Sequence, residues 1–214
     1  KTIATLASGA TLMMKGTNNT LGTAYNKGHY FRGTGNYMIS GEISSLVNGN
    51  NINDTELSGA SASTFAQLFS GDTHLISAEN LVIASVKLPE SCFNSTFRSC
   101  TNLVKAPELP STILGKEAYS SMFEGCTSLK NIIIPNSVTK INSHAFYKCT
   151  SLNSVTIPDS VTSIGASRDI FNGLVTIEVG IETKYPTEVI PIVKEKMNNL
   201  TLTKEEIKRR MCNN

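Results

Sequence analysis

Phe123-Glu-Gly-Cys-Thr-Ser-Leu129 is followed by Phe146-Tyr-Lys-Cys-Thr-Ser-Leu152 and preceded by Phe97-Arg-Ser-Cys-Thr-Asn-Leu103. A looser copy stands at Phe69-Ser-Gly-Asp-Thr-His-Leu75, and a shortened one at Phe171-Asn-Gly-Leu174. The phenylalanines are 28, 26, 23 and 25 residues apart, a period at which each repeat makes one coil of a stacked array. A single coil cannot bury its own apolar residues, so neighbours must stack and share one core. The predicted fold is a mainly β solenoid of about five coils with short helices.

Apolar residues follow the phrase at fixed offsets. Leu152, Val155, Ile157, Pro158, Val161 and Ile164 match Leu129, Ile132, Ile134, Pro135, Val138 and Ile141 one coil earlier. Around Val155 and Ile157 the period is two, the mark of a short strand with one face buried. The proline ends that ladder, and Asn136-Ser137 and Asp159-Ser160 supply turn chemistry before a second short strand or bend. Small residues ahead of each phenylalanine predict a tight helical turn back to the next strand. Over Ser61 to Phe69 the shared face of Phe65, Leu68 and Phe69 predicts a short helix leading into the array.

Cys100, Cys126 and Cys149 occupy one equivalent position. Their spacing fits no C-x-x-C zinc pattern, and three equivalent sites cannot pair off among themselves. A ladder of buried free thiols is therefore expected. Cys92 and Cys212 fall outside that register.

The phrase F-x-x-C-T-S-L followed by x-x-V-x-I-P-x-S-V-x-x-I resembles the BspA-like, or treponemal-type, leucine-rich repeat. Ala106-Pro-Glu-Leu-Pro110 and Tyr119-Ser-Ser-Met-Phe-Glu-Gly-Cys-Thr-Ser-Leu129 resemble a second wording of it, found in surface proteins of gut anaerobic bacteria. The likeness covers roughly residues 65 to 179, with Asp72 in place of the cysteine in the first copy. Atypical end repeats are expected where an array must stop exposing its core. The resemblance implies an extracytoplasmic protein, secreted or at the cell surface, with an adhesion or protein-interaction role.

Three segments are expected. Residues 1–57 read as a small β-rich capping module, with strand-like runs at Ile3–Leu6, Thr11–Lys15, His29–Arg32 and Tyr37–Ser40. Its Gly41-Glu-Ile-Ser-Ser-Leu46 is similar to a recurring G-N-I-M-S-L phrase of the same surface proteins. Residues 58–179 form the leucine-rich repeat solenoid, and 180–214 a charged, partly helical cap or tail. In that tail Thr203-Lys-Glu-Glu206 has capping-box spacing and predicts a helix from about 204 to 211, with an earlier helical stretch starting near Pro191. The chain opens on Lys1 rather than Met, the form a processed or trimmed chain takes.

Composition narrows the function. A net charge of +2 argues against a nucleic-acid footprint. No apolar run reaches the roughly 18 residues needed to cross a bilayer, so no membrane-spanning segment is expected. The histidines, His29, His74 and His144, sit in unrelated contexts, and there is no G-x-S-x-G, H-E-x-x-H or phosphate-binding glycine loop. No catalytic residue, metal site or cofactor is assigned, and the chain is read as a non-enzyme.

What remains is a surface. Residues alternating with the buried ones form an outward row of Lys105, Glu108, Asn131, Ile133, Ser154, Thr156, Thr176 and Glu178. Mostly small and polar, this row suits a hydrated contact with a host or microbial surface protein or glycan, with Ile133 as the apolar exception. Two other readings stand beside it. One is a structural spacer within a larger surface protein; the other is a carbohydrate-binding module using Tyr25, His29, Tyr30 and Tyr37.

Overall fold

The computed structural model describes residues 7–13, 30–48, 62–83, 87–109, 113–114, 117, 119–141, 144–161, 163–164, 176–179, 189–191 and 202–203. Each repeat bends through three sides. The first is a strand with alternate residues buried. Tyr37–Glu42 (β1) pairs in parallel with Leu75–Val82 (β2), and Ser154–Ile157 (β6) with Thr176–Val179 (β8). Between them, parallel bridges join Ser77 to Lys105, Lys105 to Asn131, and Ile133 to Thr156. Leu75, Ala78 and Leu81, then Leu103, then Leu129, Ile132 and Ile134, then Leu152, Val155 and Ile157 face the core.

The second side is a shorter strand. Lys87–Leu88 (β3) pairs in parallel with Ile113–Leu114 (β4), and Lys140–Ile141 (β5) with Ser163–Ile164 (β7). Prolines separate the two sides, as at Pro135 and Pro158, because a residue without an N–H cannot continue the ladder.

The third side corrects the expected helices. Residues 62–71 form consecutive turns, as do the stretches before Cys100, Cys126 and Cys149. Within the first coil, Ala66, Leu68, Ser70 and Asp72 donate their amides to the carbonyls of Ser63, Phe65, Gln67 and Phe69. The intervening amides leave the coil. Phe65, Gln67, Phe69 and Gly71 donate to Cys92, Asn94, Thr96 and Arg98 of the next coil at 2.7 to 2.9 Å. An α-helix needs every amide for its own i−4 carbonyl; here every second amide goes to a neighbour. The backbone accommodates this by adopting positive φ at every fourth residue, as at Ser63, Gln67 and Gly71 and at Ser91, Ser95 and Ser99. The apolar spacing of Phe65, Leu68 and Phe69 therefore reads as a helix only because this ribbon also buries residues three and four apart.

One core runs the length of the stack. Phe31, Phe69, Phe97 and Phe123 form a column with ring centroids 6.0, 5.5 and 5.8 Å apart, the last two pairs nearly parallel. Phe65, Phe93 and Tyr119 form a second column. Cys92, outside the thiol register, is buried in the same core.

The two ends are closed differently. At the start, residues 30–48 continue the sheet through β1 and end in the four-residue helix Ser45–Asn48 (α1). At the other end the chain reverses. Val189–Pro191 (β9) runs antiparallel to β8, and Leu202–Thr203 (β10) antiparallel to β7, so the last strands are paired rather than left as open edges. The sequence pattern does not predict these two strands. The helices expected in the tail lie outside the described residues, except that Pro191, the expected start of the earlier one, is in β9; the strand expected at Ile3–Leu6 also lies outside, while residues 11–13 of the expected Thr11–Lys15 run are described and carry no strand. At the expected His29–Arg32 run, residues 30–32 carry no strand.

The alternating turns make a paired prediction. Ser99 is exposed at φ 58 with its amide bonded to Glu124, and a Cβ on Gly125 (φ +76) would meet the Ser99 Oγ at 3.2 Å. Left-handed backbone costs a non-glycine residue about 1 kcal/mol or more. Ser99→Gly is expected to raise stability by about 1 kcal/mol, against the usual effect of glycine, and Gly125→Ala to lower it by at least as much; urea unfolding of the two variants measures both.

Candidate functional site

The outward face of the first side is built by strand alternation, and the bridges fix which residues share a row. Ser77, Lys105 and Asn131 stand in one line across three coils, which Met38 extends onto β1 and Ser154 and Thr176 continue between β6 and β8. Ile133, Thr156 and Glu178 stand in a second. Lys105, Glu108, Asn131 and Thr156 are exposed, and Ile133 is 81% exposed. Glu108 lies beyond Lys105, outside the bridged rows. For Ser154, Thr176 and Glu178 the backbone register is described.

Two neighbours of this face are absent from the row expected from sequence. Glu79, two residues beyond Ser77 on the same face, forms an ion pair with Lys105 at 2.5 Å. With both groups more than half exposed, the pair is worth little to stability, but it holds the Lys105 ammonium over the adjoining strand. Met38, 70% exposed, joins the face from β1. A signal for it is present in the sequence: Phe31 and Tyr37 are six residues apart, as are Phe69 and Leu75, Phe97 and Leu103, and Phe123 and Leu129.

Behind the face, the three equivalent cysteines have a defined task. The thiols of Cys100, Cys126 and Cys149 donate to the carbonyls of Phe69, Phe97 and Phe123 in the preceding coil, each at 3.0 Å. Burial pushes the Cys100 and Cys149 thiols up to about 12 from an ordinary 9.0, and the fully enclosed Cys126 well above it. Cys92, also buried, is pushed up to about 12 for the same reason. A thiol held protonated and bonded to a carbonyl is not a nucleophile. A threonine ladder accompanies the thiols: Thr127 donates to the Thr101 carbonyl and, at a longer 3.4 Å, Thr150 to that of Thr127, while Thr96, at a different position of the repeat, donates to that of Phe65.

Chemistry-bearing groups do not converge elsewhere among the described residues. His74 stands in the first coil beside Asp72, while His144 is exposed on the third side with its ring edge-on to Tyr147. Among the described residues there is no group of three or more His, Cys, Asp or Glu able to hold a metal ion. No described helix is long and apolar enough to cross a membrane. Of the aromatics weighed as sugar platforms, Tyr25 and His29 lie outside the described residues. Tyr30 donates its hydroxyl to Gln67, and Tyr37 donates its own to Asp72.

The model of the BspA type leucine rich repeat region matches residues 74–185 in six copies, more than half of the chain. The chain belongs to the BspA-type leucine rich repeat family. Its fold is accordingly a solenoid-like, mainly β one, and the family places this chain among modules that are generally non-enzymatic and serve protein interaction. The match begins one residue before Leu75 and reaches past Val179, with six copies where the phenylalanine phrase gives five. No curated protein and no solved structure matches the chain.

Two measurements test the thiol column of the BspA-type array. Under native conditions Cys92, Cys100, Cys126 and Cys149 are expected to resist alkylation and to label fully in denaturant, as followed by mass spectrometry of the labelled peptides. Their raised values also set a pH dependence. The unfolded chain loses these protons near 9 and the folded chain holds them to about 12, so the stability they contribute is complete below pH 9 and is lost as pH rises through that window. Urea midpoints should be steady in this respect up to about pH 8 and fall between about pH 9 and 12, with a shallower fall in a Cys126→Ala variant.

Proposed function

We propose that this chain is a non-catalytic interaction module of an extracytoplasmic protein, secreted or held at the cell surface, that binds a host or microbial surface protein or glycan through the outward sheet face. The binding residues are Lys105, Glu108, Asn131, Ile133, Ser154, Thr156, Thr176 and Glu178. In this reading residues 58–179 form one continuous solenoid of about five coils, with 1–57 and a partly helical 180–214 as its flanking segments. The observation that carries it is Ile133, which stands 81% exposed on the outward face, in one row with Thr156 and Glu178. An apolar side chain there contributes almost nothing to the core, and Ile133 and Met38 among hydrated neighbours are what a modest contact face offers. A face of this size gives weak single-copy binding, strengthened when several copies sit on one surface.

Among the alternatives, the sugar-platform reading rests on Tyr30, which is 42% exposed. The hydroxyls of Tyr30 and Tyr37 are committed within the fold, and Tyr37 is only partly exposed. The spacer reading differs from the binding one in predicting no ligand at all.

A binding screen against immobilised matrix proteins, bacterial surface proteins and glycans, run beside the triple variant Asn131→Arg, Ile133→Glu, Thr156→Arg, tests the proposal. All three side chains are exposed, so the variant is expected to unfold within about 1.5 kcal/mol of the parent, about 0.5 for each substitution. The expected result is a ligand bound by the parent and lost by the folded variant. A ligand retained by the variant moves the site off the sheet face, and absence of any ligand favours the spacer.

A further inference from the structure

The first coil departs from the others at one buried position. Asp72 stands three residues after Phe69, where Cys100, Cys126 and Cys149 stand three residues after Phe97, Phe123 and Phe146. Its side chain is fully buried. A cysteine there donates one bond to the preceding coil. A carboxylate accepts instead, and Asp72 accepts from the Gly33 amide at 2.9 Å, the Tyr37 hydroxyl at 2.6 Å and the His74 amide at 2.8 Å. Two of these donors belong to residues 30–48.

We propose that Asp72 is a latch that holds residues 30–48 on the first coil as an end cap, and that this cap opens on its own while the coils behind it remain stacked.

The cap is built to complete the first coil. The Phe31 amide donates to the Leu68 carbonyl, the Arg32 guanidinium to that of Ser70, the Tyr37 amide to that of His74 and the Ile43 amide to that of Val82. The Tyr30 hydroxyl reaches Gln67. Phe31 also supplies the next ring of the phenylalanine column, against Phe69. All these bonds run to residues 67–82 of the first coil. Gly33 is required for the latch to close: a Cβ there would lie 2.6 Å from the Tyr37 ring, so a side chain would displace either the ring or the amide that reaches Asp72.

The latch has two coherent states. With the cap docked, the buried carboxylate has its donors. With the cap away, Gly33 and Tyr37 leave together, and a carboxylate left with the His74 amide as its remaining donor of the three must be reached by water. Partial docking leaves a buried charge unsatisfied, so the cap is expected to move as a unit. Loss of the cap breaks no thiol bond, since Cys100, Cys126 and Cys149 donate to carbonyls of the array itself.

Hydrogen exchange on the full chain, read at single amides, tests this. In the parent, the amides of Phe31, Tyr37 and Ile43 are expected to exchange ahead of those of Phe97 and Gly125, which bond between interior coils. Tyr37→Phe removes one donor and should speed exchange at Phe31 and Ile43 by about tenfold or more, leaving Phe97 and Gly125 at parent rates. Asp72→Cys, which restores the residue of the interior coils, should speed the same cap amides by about a hundredfold. Equal exchange of cap and interior amides in the parent would overturn the proposal. So would unchanged cap rates in both variants, or acceleration of cap and interior by one common factor in Tyr37→Phe. Where Asp72→Cys does not fold, the parent and Tyr37→Phe decide alone.

Discussion

In the first two coils, alternate amides on the turn side have no partner within their own coil. These amides, and that of Gly125 in the third coil, donate to carbonyls 22 to 27 residues further along, as Phe65 to Cys92, Phe97 to Met122 and Gly125 to Tyr147. A buried amide without an acceptor costs as much as a lost hydrogen bond, so no repeat can adopt this shape before its neighbour arrives. Everything else in the core follows the same spacing. The phenylalanine rings stack, the cysteine thiols and threonine hydroxyls reach back one coil, and the strands of the other two sides align in parallel. The backbone strain is a consequence: positive φ at Ser91, Ser95 and Ser99 aims alternate amides out of the coil, and it persists because the intercoil ladder fixes them there.

A structure whose every layer depends on the next must be ended by residues that do not repeat. At the start, side chains take over backbone roles. The Arg32 guanidinium satisfies the Ser70 carbonyl, and the Asp72 carboxylate takes donors where a thiol would give one. At the other end the chain changes direction instead. Antiparallel pairing of β9 and β10 uses the hydrogen-bonding edges of β8 and β7 without presenting another parallel coil, which removes the template that an open edge offers to a second chain.

The repeated residues are legible because they are the ones the spacing constrains. Leu129, Ile132, Val155 and Ile157 read as buried strand positions from their period alone, and they are buried. The family follows from the same phrase. The third side misleads, since residues three and four apart share a face both in an α-helix and in this ribbon of turns, and only the destination of the amides separates the two. That destination is a tertiary fact. The cap reads as a separate module because its side-chain ties to the array, from Tyr30, Arg32 and Tyr37, are scattered over a stretch with no repeated phrase. Ser44 is a smaller case. Where the similar phrase carries methionine, its hydroxyl is buried with no hydrogen-bond partner among the described residues, a cost that sequence pattern does not reveal.

The same division explains why the outward row says little about its partner from sequence. Inward positions of the array are answerable to neighbours 22 to 31 residues away and therefore carry a pattern. Outward positions answer mainly to the need to leave the strand intact, a need that Asn131, Ile133 and Thr156 each meet. Their chemistry is thus free to vary at little stability cost, and a contact face can be rewritten on an unchanged stack. The ion pair of Lys105 with Glu79 is a described place on this face where two coils constrain each other's outward side chains. It sets two opposite charges from adjoining coils side by side on the same face as Ile133.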